Sequence, residues 1–185
     1  MSTFTIPYPE YDIAEQLSKL FPKKDTYSVS IPMSRTQKFY DLIVVNGKAK
    51  KFITIQVKSS RTYSHDREEG YDYYSWLNLF DIKDNYSDFY FIYMTYPASD
   101  EKGRPRGTKW LSKILVFDNS EMKDILENVL TKKDTQDRFF GFGFNSLDDK
   151  VGSGRGLLNS KKYAKYDFSK HLLENRIDEL KKSLK

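Results

Sequence analysis

The chain has 185 residues, a formal net charge of +5 and no cysteine. The missing thiols exclude disulfides, thiolate metal sites and cysteine catalysis, and the length suggests one domain. An aromatic share of 16% indicates a folded core, because disordered chains are poor in aromatic residues. A sequence pI of about 9.1 favours polyanionic partners, although ordinary solvated lysines account for it equally well.

Neither a membrane segment nor a secretory leader is expected from this sequence. No apolar stretch approaches the roughly 18 residues that cross a bilayer, and the mean hydropathy is −0.70. The start of the chain contains Pro7, Pro9 and several acidic side chains, which are untypical of a signal peptide. We therefore expect a cytoplasmic protein with no membrane partner.

Hydrophobic periodicity predicts helices near both ends of the chain and strands between them. The first helix is predicted over 10–21, where apolar residues recur at helical spacing until Pro22 ends it. Strands are predicted at 27–32, 40–45, 52–58, 73–80, 88–96 and 113–118. Two more helices are predicted at 120–130, capped by Asn119 or Ser120, and at 168–184.

The remaining segments are expected to be irregular. Proline and glycine predict a loop over 97–109, and the segment 131–166 contains several glycines. The order of elements predicts one domain over 1–185, with its core at about 10–130 and 131–185 as an irregular segment plus a helix. The predicted fold class is α/β or α+β, with a central mixed β-sheet flanked by helices.

Three polar residues lie where a purely structural strand would carry apolar side chains. Asp41 begins one predicted strand, and Gln56 and Lys58 end the next one. Alternation places Gln56 and Lys58 on one face of their strand, and Ile53 and Ile55 on the other. The sequence therefore predicts a polar patch on one face of a hairpin.

The length of the hairpin loop decides whether Asp41 reaches Gln56. A two-residue Asn46-Gly47 turn, which this dipeptide favours, would pair Asp41 with Phe52 and leave Gln56 too distant to share an ion. A four-residue loop would pair Asp41 with Thr54, and a six-residue loop would place it directly opposite Gln56. We predict a longer loop, since only that brings the polar side chains together.

Such a patch is suited to a hard divalent cation. Mg²⁺ takes oxygen ligands, usually one or two carboxylates with water and substrate phosphate. Asp41 would supply a carboxylate, Gln56 a neutral oxygen and Val57 its backbone carbonyl, while Lys58 would hold water or offset phosphate charge. The alternative is structural: Asp41 caps a strand, Gln56 is a satisfied core amide and Lys58 reaches solvent.

The segments Tyr40-Asp41-Leu-Ile-Val and Ile55-Gln56-Val57-Lys58-Ser-Ser, after a helix starting at Glu10, resemble the PD-(D/E)xK nuclease superfamily. That pattern is an acid at a strand start followed by acid-x-Lys in the next strand, where Gln56 here replaces the second acid. The resemblance covers about residues 10–96. It implies a restriction-endonuclease-like fold and DNA hydrolysis with Mg²⁺ or Mn²⁺. It also implies Asp41 and Gln56 as metal ligands, Lys58 as the catalytic lysine and Glu10 as an accessory acid.

Basic residues mark the predicted contacts with DNA, each neutralising phosphate in a salt-dependent way. They are Lys48, Lys50, Lys51, Arg61, Arg104, Arg106 and Arg155, the last within a glycine-rich stretch predicted as a flexible loop. A homodimer is a further expectation, because cutting both strands needs two sites. Two alternatives remain: a non-catalytic nucleic-acid-binding module of the same fold, and a protein-interaction domain with an aromatic surface.

Overall fold

The computed structural model describes residues 8–32, 39–64, 70–82, 86–99 and 105–185, without the side chains of residues 61, 99 and 105–108. The described part contains the helices α1 (Tyr8–Leu20), α2 (Asn119–Glu127) and α3 (Leu173–Ser183). Its strands are β1 (Tyr27–Ser30), β2 (Leu42–Asn46), β3 (Lys51–Ser64), β4 (Tyr73–Asn78), β5 (Phe89–Ser99), β6 (Pro105–Asp118), β7 (Phe139–Phe144) and β8 (Val151–Ser153). The predicted α+β class, with a mixed sheet and helices, is confirmed.

The main sheet is mixed and has five strands in the order β1-β2-β3-β5-β6. Its neighbours run antiparallel except β3 and β5, whose parallel register pairs Gln56 with Tyr90 and Lys58 with Ile92. The strand β5 is apolar and almost entirely buried, as expected for a central strand.

A second sheet grows from the far end of β3. Residues Thr62 to Ser64 pair with β4, which pairs with β7, and β7 pairs with β8. The long strand β3 therefore belongs to both sheets. Gln56 and Lys58 lie on the main sheet just before the two sheets join.

Two apolar cores cover the two faces of the main sheet. The first packs α1 and α3 against β2 and β3, and includes Ile13, Ile55 and Leu180. The second fills the space between the two sheets and α2, with Phe117 and Phe142 among its many aromatic members. Each fully buried side chain of this size contributes about 1.5–3 kcal/mol, so both faces are firmly held.

The prediction of an irregular segment over 131–166 is wrong. Strands β7 and β8 lie there, and Phe140, Phe142 and Phe144 are buried in the second core. The intervening glycines are typical of a loop, but here they make room for rings: a Cβ on Gly143 would lie 2.6 Å from Cδ2 of Tyr71. The core therefore extends well beyond residue 130, and the stretch around β8 is not a flexible loop.

Some element boundaries also differ from the predicted ones. Strand β6 begins inside the predicted 97–109 loop, and α3 begins at Leu173 rather than at 168. Asp118, not Asn119 or Ser120, caps α2: its carboxylate accepts from the Glu121 amide at 2.8 Å, and the Glu121 carboxylate accepts from the Asp118 amide at 2.9 Å. No helix in the described ranges is long and apolar enough to cross a membrane.

Candidate functional site

The β2–β3 hairpin has the register predicted for a six-residue loop, in which Asp41 lies opposite Gln56. Leu42 pairs with Ile55, and the pairs continue to Asn46 with Lys51. Asp41, one residue before Leu42, therefore lies beside Gln56. The prediction that the hairpin is longer than a two-residue turn is confirmed.

Asn46 explains why the short turn does not form. Its side-chain oxygen accepts hydrogen bonds from the amides of Lys48 and Ala49, both at 3.1 Å. Its side-chain nitrogen donates to the carbonyl of Leu184 at 3.0 Å, which ties the hairpin to the end of the chain. Lys50 closes the turn with a φ of +54°, in the left-handed region.

Asp41 is held against β3 by two hydrogen bonds. Its amide donates to the carbonyl of Ile55 at 2.8 Å, and its carboxylate oxygen Oδ2 accepts from the amide of Val57 at 2.7 Å. The amide and carbonyl of one strand residue point to the same side. The carbonyl of Val57 thus lies on the edge of β3 that Asp41 occupies, beside Gln56.

Gln56 and Lys58 occupy the face of β3 that looks toward the second core. Ile53 and Ile55 are buried on the opposite face, against α1 and α3, so the predicted alternation is confirmed. Both Gln56 and Lys58 are half-buried. A polar patch therefore interrupts the packing at the point where the two sheets separate.

Lys58 is partly withdrawn from water. Its Nζ lies 4.9 Å from the centroid of the Phe80 ring, a cation–π distance. Burial lowers the pKa of the Lys58 ammonium, and the nearby Asp41 carboxylate opposes this shift only in part. A cation with reduced hydration and incomplete neutralisation is suited to binding an anionic group.

Tyr90 and Phe80 belong to this site although the sequence did not indicate them. Tyr90 pairs with Gln56 across the parallel strands, and its ring stacks on Phe80 with centroids 6.0 Å apart. The Tyr90 hydroxyl is buried with no hydrogen-bond partner among the described residues. Alternation along β5 predicts which residues share a face with Tyr90. It does not predict that Tyr90 lies next to Gln56, which follows only from the parallel pairing of β3 and β5.

Glu10 lies on the other side of the main sheet. It is buried on the same face of α1 as Ile13 and Leu17, as the helical spacing predicts. That face packs against Ile53 and Ile55 rather than on the side of Gln56 and Lys58. The structure does not bring Glu10 together with the polar patch, and its role as an accessory acid stays a prediction.

A cavity of about 970 Å³ opens next to Tyr40, the residue before Asp41. Phe39 and Phe52 line it and are 47% and 63% exposed, so rings are available to a ligand. Asp88 also lines it, and its carboxylate accepts from the amide and hydroxyl of Thr54 at 2.7 and 2.8 Å. The sequence did not single out Asp88, because its hydrogen bonds to Thr54 form only when β5 lies beside β3.

The predicted DNA-binding residues are spread over several parts of the molecule. Lys48, Lys50 and Lys51 are exposed at the tip of the β2–β3 hairpin. Arg155 lies far along the chain, at the edge of the second sheet. Arg104 lies outside the described residues, as do the side chains of Arg61 and Arg106.

The donor set of the patch fits a hard cation. Asp41, Gln56 and the Val57 carbonyl offer only oxygen atoms, the ligands that Mg²⁺ and Mn²⁺ prefer. Within the described ranges, no three His, Cys, Asp or Glu side chains form a group that could hold a metal. An ion at this patch would therefore depend on one carboxylate, with water and substrate phosphate completing its shell.

Comparisons with protein-family models, with curated proteins and with solved structures found no match to this chain.

Proposed function

We propose that the chain is a metal-dependent DNA endonuclease of the PD-(D/E)xK superfamily, with a restriction-endonuclease-like fold. The main support is the Asp41 carboxylate, held at 2.7 Å from the Val57 amide beside Gln56 and the partly desolvated Lys58. A merely structural Asp41 would not require a half-buried lysine on the same strand face. A cavity lined by Tyr40 and Thr54, which neighbour the patch along β2 and β3, opens nearby.

Each residue of the patch has a distinct proposed role. Asp41, Gln56 and the Val57 carbonyl would hold Mg²⁺ or Mn²⁺, which polarises a phosphodiester and lowers the pKa of water when bound. Lys58 would bind the scissile phosphate, and the attraction is stronger in its partly desolvated position than in bulk water. The exposed lysines of the hairpin tip would neutralise neighbouring phosphates of DNA.

Plasmid cleavage tests the proposal. Supercoiled DNA is incubated with Mg²⁺ or Mn²⁺ and the wild type, Asp41→Asn or Lys58→Met. Asn keeps an oxygen for the Val57 amide, so it removes charge with little change in shape. We expect each variant to cut at least roughly 100-fold more slowly, the effect of removing one charge-stabilising group from an active site.

Matched controls separate the site from general charge effects. Asp149→Asn removes a carboxylate that is 86% exposed, and Lys19→Met removes a lysine that is 71% exposed. Both should cut like the wild type. Equal cutting by all five proteins would show that the Asp41 patch does not carry the activity.

A second function is favoured by Gln56 itself. It lacks the charge of the acid that the superfamily pattern carries, which supports a non-catalytic nucleic-acid-binding module of the same fold. Salt-dependent DNA binding without cutting would favour this module, and the absence of any DNA binding would favour a protein-interaction domain. Sedimentation with and without DNA would test the proposed homodimer.

A further inference from the structure

The outer face of the second sheet exposes aromatic rings on three strands. Tyr63 of β3 is 53% exposed, Trp76 of β4 is 45% exposed and Phe139 of β7 is 37% exposed. We call these residues the aromatic row. Their inward-facing neighbours fill the second core, so the fold does not need these three rings on the outside.

The rings are close enough to form one surface. The centroids of Tyr63 and Trp76 lie 5.2 Å apart. Trp76 pairs with Gly141, and Phe139 lies two residues earlier on the same face of β7. A Cβ on Gly141 would lie 1.9 Å from the backbone carbonyl oxygen of Ser75 and 3.0 Å from Cδ1 of Trp76, so glycine at this position lets β4 and β7 approach closely beneath the indole.

Arg155 places a positive charge at the Phe139 end of the aromatic row. The guanidinium carbon of Arg155 lies 4.8 Å from the centroid of the Phe139 ring, and the side chain is 46% exposed. Asp137 accepts from it at 3.3 and 3.4 Å, long distances that use two of its five donors. Beside Phe139, a cavity of about 530 Å³ is lined by Asn78, Gln136 and Arg138 among others.

We propose that this face binds an unpaired stretch of nucleic acid, with bases stacked on the aromatic row and phosphate at Arg155. Every base has a π-face, so exposed rings beside a cation suit a single strand, whereas the bases of a duplex stack on one another and leave mainly phosphates to bind. The net charge of +5 also favours a polyanion over a neutral partner.

The aromatic row shares strand β3 with the Asp41 patch but lies on the opposite face of that strand. Tyr63 follows Lys58 by five residues on β3, or about 17 Å of strand. The Ser60 hydroxyl, between them, accepts from the Trp76 amide at 2.9 Å and fixes β4 to β3. If the proposed endonuclease function holds, on which this step rests, its substrate carries a single-stranded segment that lies about 17 Å or more from the cleavage point and reaches the other face of β3.

Fluorescence anisotropy tests the binding itself. The probe is a labelled DNA strand of about 16 nucleotides, used alone and annealed to its complement. We expect Trp76→Ala and Tyr63→Ala to weaken single-strand binding by roughly 5- to 100-fold and duplex binding much less. Tyr11→Ala is the control, because Tyr11 is 58% exposed on α1. Thermal melting confirms that each variant is folded.

A second measurement keeps the test informative if a variant fails to fold. Trp110→Phe leaves Trp76 as the only tryptophan, and its fluorescence should be quenched by the single strand and not by the duplex. Unchanged fluorescence, equal binding of both probes, or self-association that disappears in Trp76→Ala would each overturn the proposal.

Cleavage assays distinguish this proposal from the proposed function. Asp41→Asn should bind the single strand like the wild type while losing cleavage. A wild type that binds through Trp76 but never cuts would refute the endonuclease and leave the aromatic row intact. A wild type that cuts, with Trp76→Ala binding the single strand normally, would refute the row alone.

Discussion

Two clusters of opposite charges in this molecule are built in contrasting ways. The Glu121 cluster comprises Glu121, Arg176, Glu179 and His171, and the Asp41 site comprises Asp41, Gln56 and Lys58. Arg176 binds both carboxylate oxygens of Glu121 at 3.1 and 2.7 Å and also Glu179 at 2.8 Å. Lys58 instead lies over the Phe80 ring, and burial is the main cause of the lowering of its pKa.

The contrast indicates what each cluster does. Bidentate hydrogen bonds from Arg176 pair the Glu121 carboxylate within the cluster, and Glu121 also completes the cap of α2. Nε of Arg176 and Nδ1 of His171 are buried with no hydrogen-bond partner among the described residues. Such a cluster supports the fold, because both of its carboxylates are already paired with Arg176. The Asp41 site has a partly desolvated cation whose charge Asp41 offsets only in part, which is an arrangement that a bound anion would complete.

The largest effect expected in the Glu121 cluster concerns acid stability. His171 is buried, and burial lowers its pKa from 6.5 to about 4, with Arg176 adding to the shift and Glu121 opposing it. Between these pH values the unfolded chain binds a proton that the folded chain does not. The free energy of unfolding should therefore fall by about 3 kcal/mol as the pH drops through this range.

Urea unfolding at several pH values measures this loss. His171→Phe keeps a ring among Phe117, Tyr166 and Phe168, which surround the imidazole, and should lose stability less steeply on acidification. The same slope in both proteins would mean that His171 is not the group responsible.

The next largest effect is expected for Arg176→Met. Arg176 is 13% exposed and Glu121 30%, so the unpaired carboxylate would be partly screened, and we expect a loss of about 2 kcal/mol. Cleavage should be unchanged. Lys19→Met, which breaks an exposed pair, should leave the unfolding curve nearly unaltered. Impaired cleavage by folded Arg176→Met would contradict the proposal that the Glu121 cluster only stabilises the fold while the Asp41 site carries the activity.

Gln56→Glu sharpens the comparison at the Asp41 site. A second carboxylate beside Asp41 should tighten Mg²⁺ binding by about tenfold, or about 1.4 kcal/mol. Calorimetric titration and the Mg²⁺-dependent rise in melting temperature measure this change. Gln136→Glu, at an exposed position, is the control. If both variants bind Mg²⁺ like the wild type, the patch is not a metal site.

The smallest effect on stability is expected for Lys58→Met. The ammonium is held in a position that lowers its pKa, so removing it should change the free energy of unfolding by less than about 1 kcal/mol after allowance for solvent screening. The sign should be neutral or stabilising, which chemical denaturation can measure. A loss larger than that of Arg176→Met would mark Lys58 as a structural residue.

The hairpin and its faces were predictable because they depend on local pattern. Alternation from Phe52 to Lys58 separates a polar face from a buried one, and the structure reproduces it. The position of Asp41 beside Gln56 was predicted as the outcome of a longer loop. The reason for that loop, an Asn46 side chain bonded to two amides and to Leu184, combines a local turn with a long-range contact.

The sequence did not predict strands β7 and β8 of the second sheet, because the residue pattern of β7 is ambiguous. Phe140, Phe142 and Phe144 alternate with glycines, and glycine is typical of turns as well as of closely packed strands. Only the neighbouring strand, with Tyr71 and Tyr74 against Gly143, shows which applies. The aromatic row and the position of Arg155 depend on this sheet, so they too were beyond local pattern.

By itself the sequence determined the class of fold and the polar face of β3, because these follow from periods of a few residues. The adjacency of Asp41 and Gln56 also needed the longer loop, which Asn46 holds partly through Leu184. The tertiary structure alone decided that Phe80 lies against Lys58 and stacks on Tyr90, that Glu10 lies across the sheet and that three rings form one surface. Those contacts join residues far apart in the chain, and the packing of two sheets on one strand selects them.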